Sequence, residues 1–173
     1  MIVHVDGPEA ARAAEAEGAE ALVLREANRG VRDATELPIL WCGGGSLAEA
    51  HAAGADAVLI VAREHEDAEG VRLGEAADAA VEHGLDWVVS VASEDELVRV
   101  LELNDPETFH LAVPDLERAL ELLSDVPVGK LAIAEAEHVT REEIEELERR
   151  GVDAVIVPAR NVAELVGGAP PTV

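Results

Sequence analysis

Lysine, aromatic residues and cysteine are all scarce in this chain, and each shortage argues against a class of function. Among 173 residues, the sequence has one lysine, Lys130, one cysteine, Cys42, and only three aromatic rings. Recognition of nucleic acid needs basic and stacking side chains, so we expect no nucleic-acid partner. One cysteine cannot build an internal disulfide framework. No apolar run approaches the ~20 residues of a membrane span, so we expect a cytoplasmic protein with no membrane partner.

Acidic residues dominate the charge. Asp and Glu total 37 against 13 Lys and Arg, which gives a formal net charge of −24, yet 49% of the residues are hydrophobic. A disordered acidic chain lacks apolar residues, so this composition indicates a folded core under a carboxylate-rich surface. Such a surface repels itself when the Debye length is ~10 Å, at 0.1 M salt, and much less when it is ~3 Å, at 1 M. We therefore expect a halophilic source; an ordinary acidic protein is the alternative.

A short phrase recurs along the chain: a glycine, a polar step and a β-branched run. It begins at Gly18, Gly54, Gly84 and Gly151, at intervals of 36, 30 and 67 residues. An interval of about 33 residues suits a strand–helix unit with a right-handed crossover. Filling the gaps predicts eight strands, placed at Ile2–Asp6, Ala21–Arg25, Pro38–Cys42, Ala57–Val61, Trp87–Ala92, Phe109–Val113, Lys130–Glu135 and Ala154–Pro158.

Helical patterns follow most of these strands, and three begin with a capping-box signature, at Ser46/Glu49, Ser93/Glu96 and Thr140/Glu143. The stretch Ala27–Leu37 is the weakest helix and is equally compatible with a loop. We expect one domain over residues 1–173, with a C-terminal tail at 167–173. The predicted helices are Pro8–Glu17, Ser46–Ala53, Ala68–His83, Ser93–Leu103, Asp115–Leu123, Thr140–Arg150 and Val162–Val166.

Eight alternating units predict an α/β fold, a small (β/α)₈ barrel with short or partly missing helices. Such barrels usually need ~200 to 250 residues, so the helices and loops must be economical here. The alternative is an open, doubly wound parallel sheet with one strand misassigned.

The stretch Leu37–Val157 resembles indole-3-glycerol phosphate synthase, a barrel lyase of tryptophan biosynthesis. The likeness is carried by His51-Ala-Ala-Gly-Ala-Asp-Ala-Val-Leu-Ile-Val, by Gly84-Leu-Asp-Trp-Val-Val-Ser-Val-Ala-Ser and by the unit Val139–Val157. The resemblance implies a (β/α)₈ fold and a site at the C-terminal ends of the strands. It also implies that Glu135 matches a glutamate on the family's strand 7.

Several of the family's catalytic motifs are replaced in this chain. His4 and Asp6 stand where the resemblance implies Glu-x-Lys, and Cys42-Gly-Gly stands where it implies the strand 3 lysine that acts as the acid of ring closure. Ser90 replaces a glutamate on strand 5. Lys130 begins its strand, at the end opposite to barrel chemistry, and cannot supply the missing acid. We therefore expect a small-ligand-binding module or scaffold without this activity. A carbon–carbon lyase, or another enzyme of a small phosphorylated metabolite, is the alternative.

The remaining strand-end residues suggest a site of a different kind. Glu135 or Asp6 could act as a base and His4 as a proton shuttle, and Arg63 or Arg160 could hold an anion. The alternative is a polar network, with Ser90 and others, that fills the mouth of a narrow barrel.

One glycine-rich turn completes the candidates. Gly43, Gly44 and Gly45 allow close backbone approach, and Ser46 begins a helix whose amides favour anions. A tight turn is the competing explanation, and Cys42 beside it is either a nucleophile or a small buried hydrophobic residue. We expect an anionic or phosphorylated ligand, no cofactor and no metal site, and a monomer or homodimer.

Overall fold

Eight parallel strands close into a barrel in the computed structural model, which describes residues 1–65 and 70–167. Each strand pairs with the next along the chain, and β1 pairs with β8 through Ile2↔Ile156 and Val3↔Val157, which closes the ring. The predicted (β/α)₈ barrel is confirmed and the open sheet is excluded. The strands are β1 (Ile2–His4), β2 (Ala21–Leu24), β3 (Ile39–Trp41), β4 (Ala57–Val61), β5 (Asp86–Val91), β6 (Thr108–Leu111), β7 (Leu131–Glu135) and β8 (Ala154–Pro158).

Short helices keep this barrel small. The weak segment Ala27–Leu37 contains a single turn, α2, and a 3-10 helix follows β4 at Ala62–His65. The predicted tail at 167–173 lies outside the described residues except for Gly167. Residues 68 and 69, the first two of the predicted helix Ala68–His83, also lie outside them. The α-helices are α1 (Pro8–Ala16), α2 (Arg29–Arg32), α3 (Leu47–Ala52), α4 (Val71–Glu82), α5 (Glu94–Leu103), α6 (Leu116–Leu123), α7 (Arg141–Arg150) and α8 (Val162–Val166).

Local chemistry explains where these elements begin and end. The four glycines of the recurrent phrase, Gly18, Gly54, Gly84 and Gly151, have φ of 101°, 81°, 71° and 104°. These angles are left-handed, so glycine ends each helix without the steric penalty of a Cβ. Full capping boxes form at Ser46/Glu49 and Thr140/Glu143.

The third predicted capping box forms only in part. Ser93 accepts a hydrogen bond from the amide of Glu96, but the Glu96 carboxylate accepts from the amide of Ala92 instead of that of Ser93. The carboxylate therefore ties the helix to the end of β5 and satisfies a donor one residue earlier than the usual motif.

Two apolar layers hold the barrel together. The outer layer lies between strands and helices and includes Phe109 and Leu97, both fully buried. The inner layer fills the barrel, and its members alternate with outer-layer residues along each strand, as the period-two pleat requires. Its buried members are Ile2, Val23, Leu40, Val88, Ile133 and Ile156.

Within the described part of the chain, each helix is too short or too polar to traverse a lipid bilayer.

Candidate functional site

Polar residues occupy the layer directly above the apolar interior, at the C-terminal end of the strands. The pleat fixes this arrangement, because the residue two positions after each inner-layer residue also points into the barrel. In this way Ile2 is followed by His4, Val23 by Arg25, Val88 by Ser90 and Ile133 by Glu135. His110 joins them because it is the register partner of both Ser90 and Ile133.

Five of these side chains form a continuous polar chain, which we call the mouth network: Ser90, His110, Glu135, Arg25 and His4. The Ser90 hydroxyl lies 3.0 Å from Nδ1 of His110, and Nε2 of His110 lies 3.4 Å from Oε2 of Glu135. Arg25 Nη2 donates to Oε1 of Glu135 at 2.8 Å, and Arg25 Nε donates to Nε2 of His4 at 2.7 Å. The network crosses the mouth from β5 to β1.

Arg25 is the most accessible member of the mouth network. Its side chain is 57% exposed, against 32% for Glu135 and 24% for His4. A guanidinium has five N–H donors, and only Nε and Nη2 of Arg25 have partners among the described residues. The Nη1 protons therefore remain available to a ligand at the opening.

The carboxylate of Glu135 is held in its ionised form. Contact with the His110 ring lowers the pKa of Glu135, and the Arg25 guanidinium and His4 add to this effect, while partial burial opposes it. A carboxylate with a lowered pKa is a weak proton acceptor, so the network reduces the value of Glu135 as a general base.

His4 is held in its neutral form. Burial lowers the pKa of His4, and the Arg25 guanidinium lowers it further. Because Arg25 Nε donates to Nε2 of His4, we assign the ring proton of His4 to Nδ1. The lone pair that a proton shuttle would use is thus already occupied.

His110 has one unsatisfied ring nitrogen. Its side chain is only 6% exposed, and Nε2 has no hydrogen-bond partner within the described residues, although Glu135 Oε2 lies 3.4 Å away. A lone pair on Nε2 would face a carboxylate, so we assign a proton to Nε2 and let Nδ1 accept a hydrogen bond from the Ser90 hydroxyl. The result is a buried donor that points towards Glu135 without a well-aligned bond.

Cys42 lies at the edge of the same layer and packs against the inner apolar layer. Burial is the main cause that raises the pKa of Cys42 to about 12, and Glu135 adds to it while Arg25 opposes it. Since the thiolate is the nucleophile, this environment disfavours a nucleophilic role and favours the small buried hydrophobic alternative.

The glycine-rich turn lies beside Cys42, along a cleft of about 380 Å³. The Glu49 carboxylate accepts from the amide of Ser46 at 2.8 Å, so the chain's own carboxylate occupies the start of α3. A Cβ on Gly43 would collide with the Arg25 carbonyl oxygen, whereas Gly44 faces open space. The glycine at 43 is therefore required by close packing below Arg25.

Three other predicted residues lie apart from the mouth network. Asp6 is exposed beyond the end of β1, and its carbonyl accepts from the Asn28 amide group at 3.0 Å. Arg63 lies on the 3-10 helix and lines a cavity between α4 and α5. Arg160 Nη2 donates to the Glu137 carbonyl at 3.2 Å and lines a cleft of about 520 Å³ beside β8.

A larger cleft opens between the connections that follow β6 and β7. It has a volume of about 670 Å³ and reaches the mouth network at His110 and Glu135. The rest of its wall carries carboxylates and, among the residues that the structure describes, contains no lysine or arginine, so its field disfavours anions except near Arg25. The acidic residues on this wall, besides Glu135, are Asp115, Glu137 and Glu143.

Lys130 lies at the opposite end of the barrel. Its ammonium group lies 3.0 Å from Oδ1 of Asp105, and both residues precede the strands to which they lead. Within residues 1–65 and 70–167, no group of three or more His, Cys, Asp or Glu side chains is arranged to hold a metal ion.

The sequence does not single out two members of the mouth network. Arg25 ends the predicted strand Ala21–Arg25, and His110 lies within the predicted strand Phe109–Val113 with no local motif. The period of the strand could have identified Arg25, because it follows the inner-layer residue Val23 by two positions and so points into the barrel. The pairing of Ser90 with His110 depends on strand register, which the sequence alone does not fix.

Comparison with known proteins gives a partial likeness in sequence and a full likeness in fold. No family model matches the chain. It is 32% identical over 115 residues to the indole-3-glycerol phosphate synthase of Azospirillum brasilense, and 31% identical over 116 residues to that of Rhizorhabdus wittichii. These alignments cover 61% and 63% of this chain but 43% and 42% of the relatives, so the likeness spans less than half the length of each.

Two solved structures share the architecture. The N-acetylmannosamine-6-phosphate 2-epimerase of Clostridium perfringens has a TM-score of 0.73 at 17% identity, covering 94% of this chain and 86% of that one. A chain of the tryptophan synthase α2β2 complex of Pyrococcus furiosus has a TM-score of 0.71 at 17% identity, covering 96% and 97%. The fold is therefore a (β/α)₈ barrel, and over three-fifths of its length the chain resembles indole-3-glycerol phosphate synthase.

Proposed function

We propose that this barrel binds a small anionic metabolite at its C-terminal mouth and does not catalyse the ring closure of its synthase relatives. The observation that carries the proposal is the state of Arg25. Its guanidinium stands over half exposed at the opening, fixed at Nε by His4 and at Nη2 by Glu135, with Nη1 unpartnered among the described residues. A guanidinium positioned in this way suits a carboxylate or phosphate oxygen.

The protonation states in the mouth support binding over acid–base chemistry. Ring closure needs a protonated acid near a carbonyl group and a base that accepts protons. The pKa of Glu135 is lowered and its carboxylate is paired with Arg25, while His4 is neutral with Nε2 already accepting. The single lysine is bound to Asp105 at the far end of the barrel.

A second anion-binding position is compatible with this proposal. Arg160 lines the cleft beside β8 together with Arg141, and these two arginines would favour the phosphate of a larger ligand. The turn at Gly43–Gly45 offers a weaker contribution, since Glu49 already accepts from the Ser46 amide.

A lyase or another enzyme acting on a small phosphorylated metabolite is the second candidate function. It is favoured by one observation: Glu135, which matches the synthase glutamate in sequence, is at the end of β7 and faces a cleft of about 670 Å³. In that case Glu135 would have to release Arg25 before it could accept a proton.

Titration calorimetry on the purified protein, in KCl sufficient to keep it folded, tests the binding proposal. The probes are succinate and inorganic phosphate. We expect Arg25→Gln to weaken binding at least tenfold. Arg12→Gln, which changes an exposed arginine on α1, serves as the matched control and leaves binding unchanged. Binding that survives Arg25→Gln, or no binding of either probe, overturns the site.

A fluorescence assay separates the two candidate functions. The protein is offered the precursor of indole-3-glycerol phosphate, and formation of the indole ring is followed over time. We expect no turnover above that of the Glu135→Gln variant. Turnover that Glu135→Gln abolishes would establish the lyase and refute the binding-module proposal.

A further inference from the structure

The two oxygens of the Glu135 carboxylate have unequal partners. Oε1 accepts a full hydrogen bond from Arg25 Nη2 at 2.8 Å. Oε2 lies 3.4 Å from Nε2 of His110, a distance and alignment that leave this nitrogen without a hydrogen-bond partner among the described residues. Glu135 is therefore hydrogen-bonded to Arg25, while Nε2 of His110 lies beside it as a second donor without a partner among the described residues.

The unsatisfied nitrogen of His110 is costly where it lies. A buried donor without a partner loses its hydration and gains no bond in exchange. The ring is fixed on its other side by the Ser90 hydroxyl at 3.0 Å, so it cannot turn to find another acceptor without losing that contact. A small movement of Glu135 would satisfy Nε2 while the Ser90 contact remains.

We propose that Glu135 is an internal placeholder for a ligand carboxylate at Arg25, and that ligand binding transfers it to His110. One oxygen of the ligand's carboxylate accepts from the unpartnered Nη1 of Arg25, and the other takes the place of Oε1 at Nη2, because a carboxylate pairs best with both terminal nitrogens of a guanidinium. The released Glu135 carboxylate then accepts from Nε2 of His110. This inference rests on the proposed anion site at Arg25 and adds two statements to it. The preferred ligand is a small carboxylic acid, and Glu135 opposes its binding in the resting protein.

The surroundings of Arg25 agree with an exchange of one carboxylate for another. The guanidinium already accommodates a carboxylate oxygen at ordinary hydrogen-bond distance, so a ligand of the same chemistry needs no new geometry. The ion pair is partly exposed, with side chains 57% and 32% accessible, and exposed pairs of this kind contribute little to stability. A competitor held so weakly can be displaced.

Calorimetry with succinate provides the first test, with variants on both sides of the exchange. Glu135→Gln removes the competitor and should tighten binding about threefold to tenfold. His110→Leu removes the donor that receives Glu135 and should weaken binding by a similar factor. Glu137→Gln, an exposed carboxylate on the next connection, is the control for simple loss of negative charge and should change binding less than twofold. Weaker or unchanged binding in Glu135→Gln overturns the inference.

A second test needs no ligand and separates failure of this inference from failure of the proposed function. Arg25→Gln releases Glu135 permanently, so the Nε2 proton of His110 should become hydrogen-bonded and slow to exchange. Nitrogen-15 correlation spectra of the histidine rings report this directly, and His83, the residue that follows the end of α4, is the internal reference. An unchanged His110 signal in the variant refutes the exchange even if succinate binds at Arg25. A changed signal without succinate binding supports the exchange and refutes the anion site.

Discussion

At the scale of single residues, one guanidinium, that of Arg25, connects the two residues of the mouth whose pKa values are lowered, His4 and Glu135. Arg25 donates to a neutral imidazole through Nε and to a carboxylate through Nη2. Both contacts bias protonation in the same direction, since a fixed positive charge lowers the pKa of His4 and of Glu135 alike. Arg25 therefore adds to two larger effects, the contact with His110 that lowers the pKa of Glu135 and the burial that lowers the pKa of His4.

The lowered pKa of Glu135 gives a pH-dependent stability. The folded-state pKa is below the ordinary value of 4.5, so the stabilisation is present above that pH and is lost as the pH falls through the folded-state value. We expect Glu135→Gln to lower the free energy of unfolding near neutral pH, with a difference from wild type that shrinks as the pH falls below the ordinary value of 4.5. Urea unfolding at constant KCl measures it, with Glu137→Gln as control. A difference that stays constant with pH would contradict this assignment.

At the residue level, the two-residue period of a strand predicts which side chains point into the barrel. The inward positions of His4, Ser90 and Glu135 follow from the strands that the sequence predicts. Their partners do not, because the contact of Ser90 with His110 and that of Glu135 with Arg25 join different strands. Which side chains meet across a barrel depends on register and closure, and neither has a local signal in the sequence.

At the scale of elements, the sequence predicts the bounds of several strands and helices closely. The bounds predicted for β4, β8 and α8 agree with those observed, and the starts of α3 and α7 follow their capping residues. Predicted strands such as Ile2–Asp6 run beyond the observed end of β1 at His4. The backbone amide of Val5 still donates to the Val23 carbonyl at 3.0 Å, so the backbone pairing of β1 with β2 continues one residue beyond the observed end of β1.

The capping box at the start of α7 offers a direct measure of one such signal. Thr140 accepts from the Glu143 amide, and the Glu143 carboxylate accepts from the Thr140 amide at 2.7 Å. We expect Thr140→Ala to reduce the free energy of unfolding by about 0.5–2 kcal/mol. The exposed Glu148→Ala, later in the same helix, should change it by less than about 0.5 kcal/mol. Equal effects of the two substitutions would show that the cap contributes nothing.

At the scale of the whole molecule, closure of the barrel favours the compact folded state, whereas the net negative charge opposes it. The closed ring buries two apolar layers in 173 residues, while a net charge of −24 works against compaction. The count of eight units in the sequence favours closure, and the weak helical pattern of Ala27–Leu37 is consistent with the single turn of α2. The exact length of that turn is decided by tertiary packing.

The charge gives a prediction about salt, in line with the proposed halophilic source. Raising KCl from 0.1 M to 1 M shortens the Debye length from ~10 Å to ~3 Å, which weakens repulsion between carboxylates. We expect the thermal midpoint to rise over this range, with most of the gain at the low end. Scanning calorimetry in KCl, compared with sucrose at matched osmolality, separates charge screening from general solute exclusion. A midpoint that falls with KCl would refute this explanation.

The position of Lys130 has a practical consequence for anyone who handles this protein. Its ammonium group is the only side-chain amine in the sequence, and it lies beside Asp105, at the end of the barrel away from Arg25. Coupling of a sensor chip or a fluorophore to this amine would attach it at the end of the barrel opposite to the mouth network. Each copy tethered through Lys130 would present its opening to solution in the same orientation.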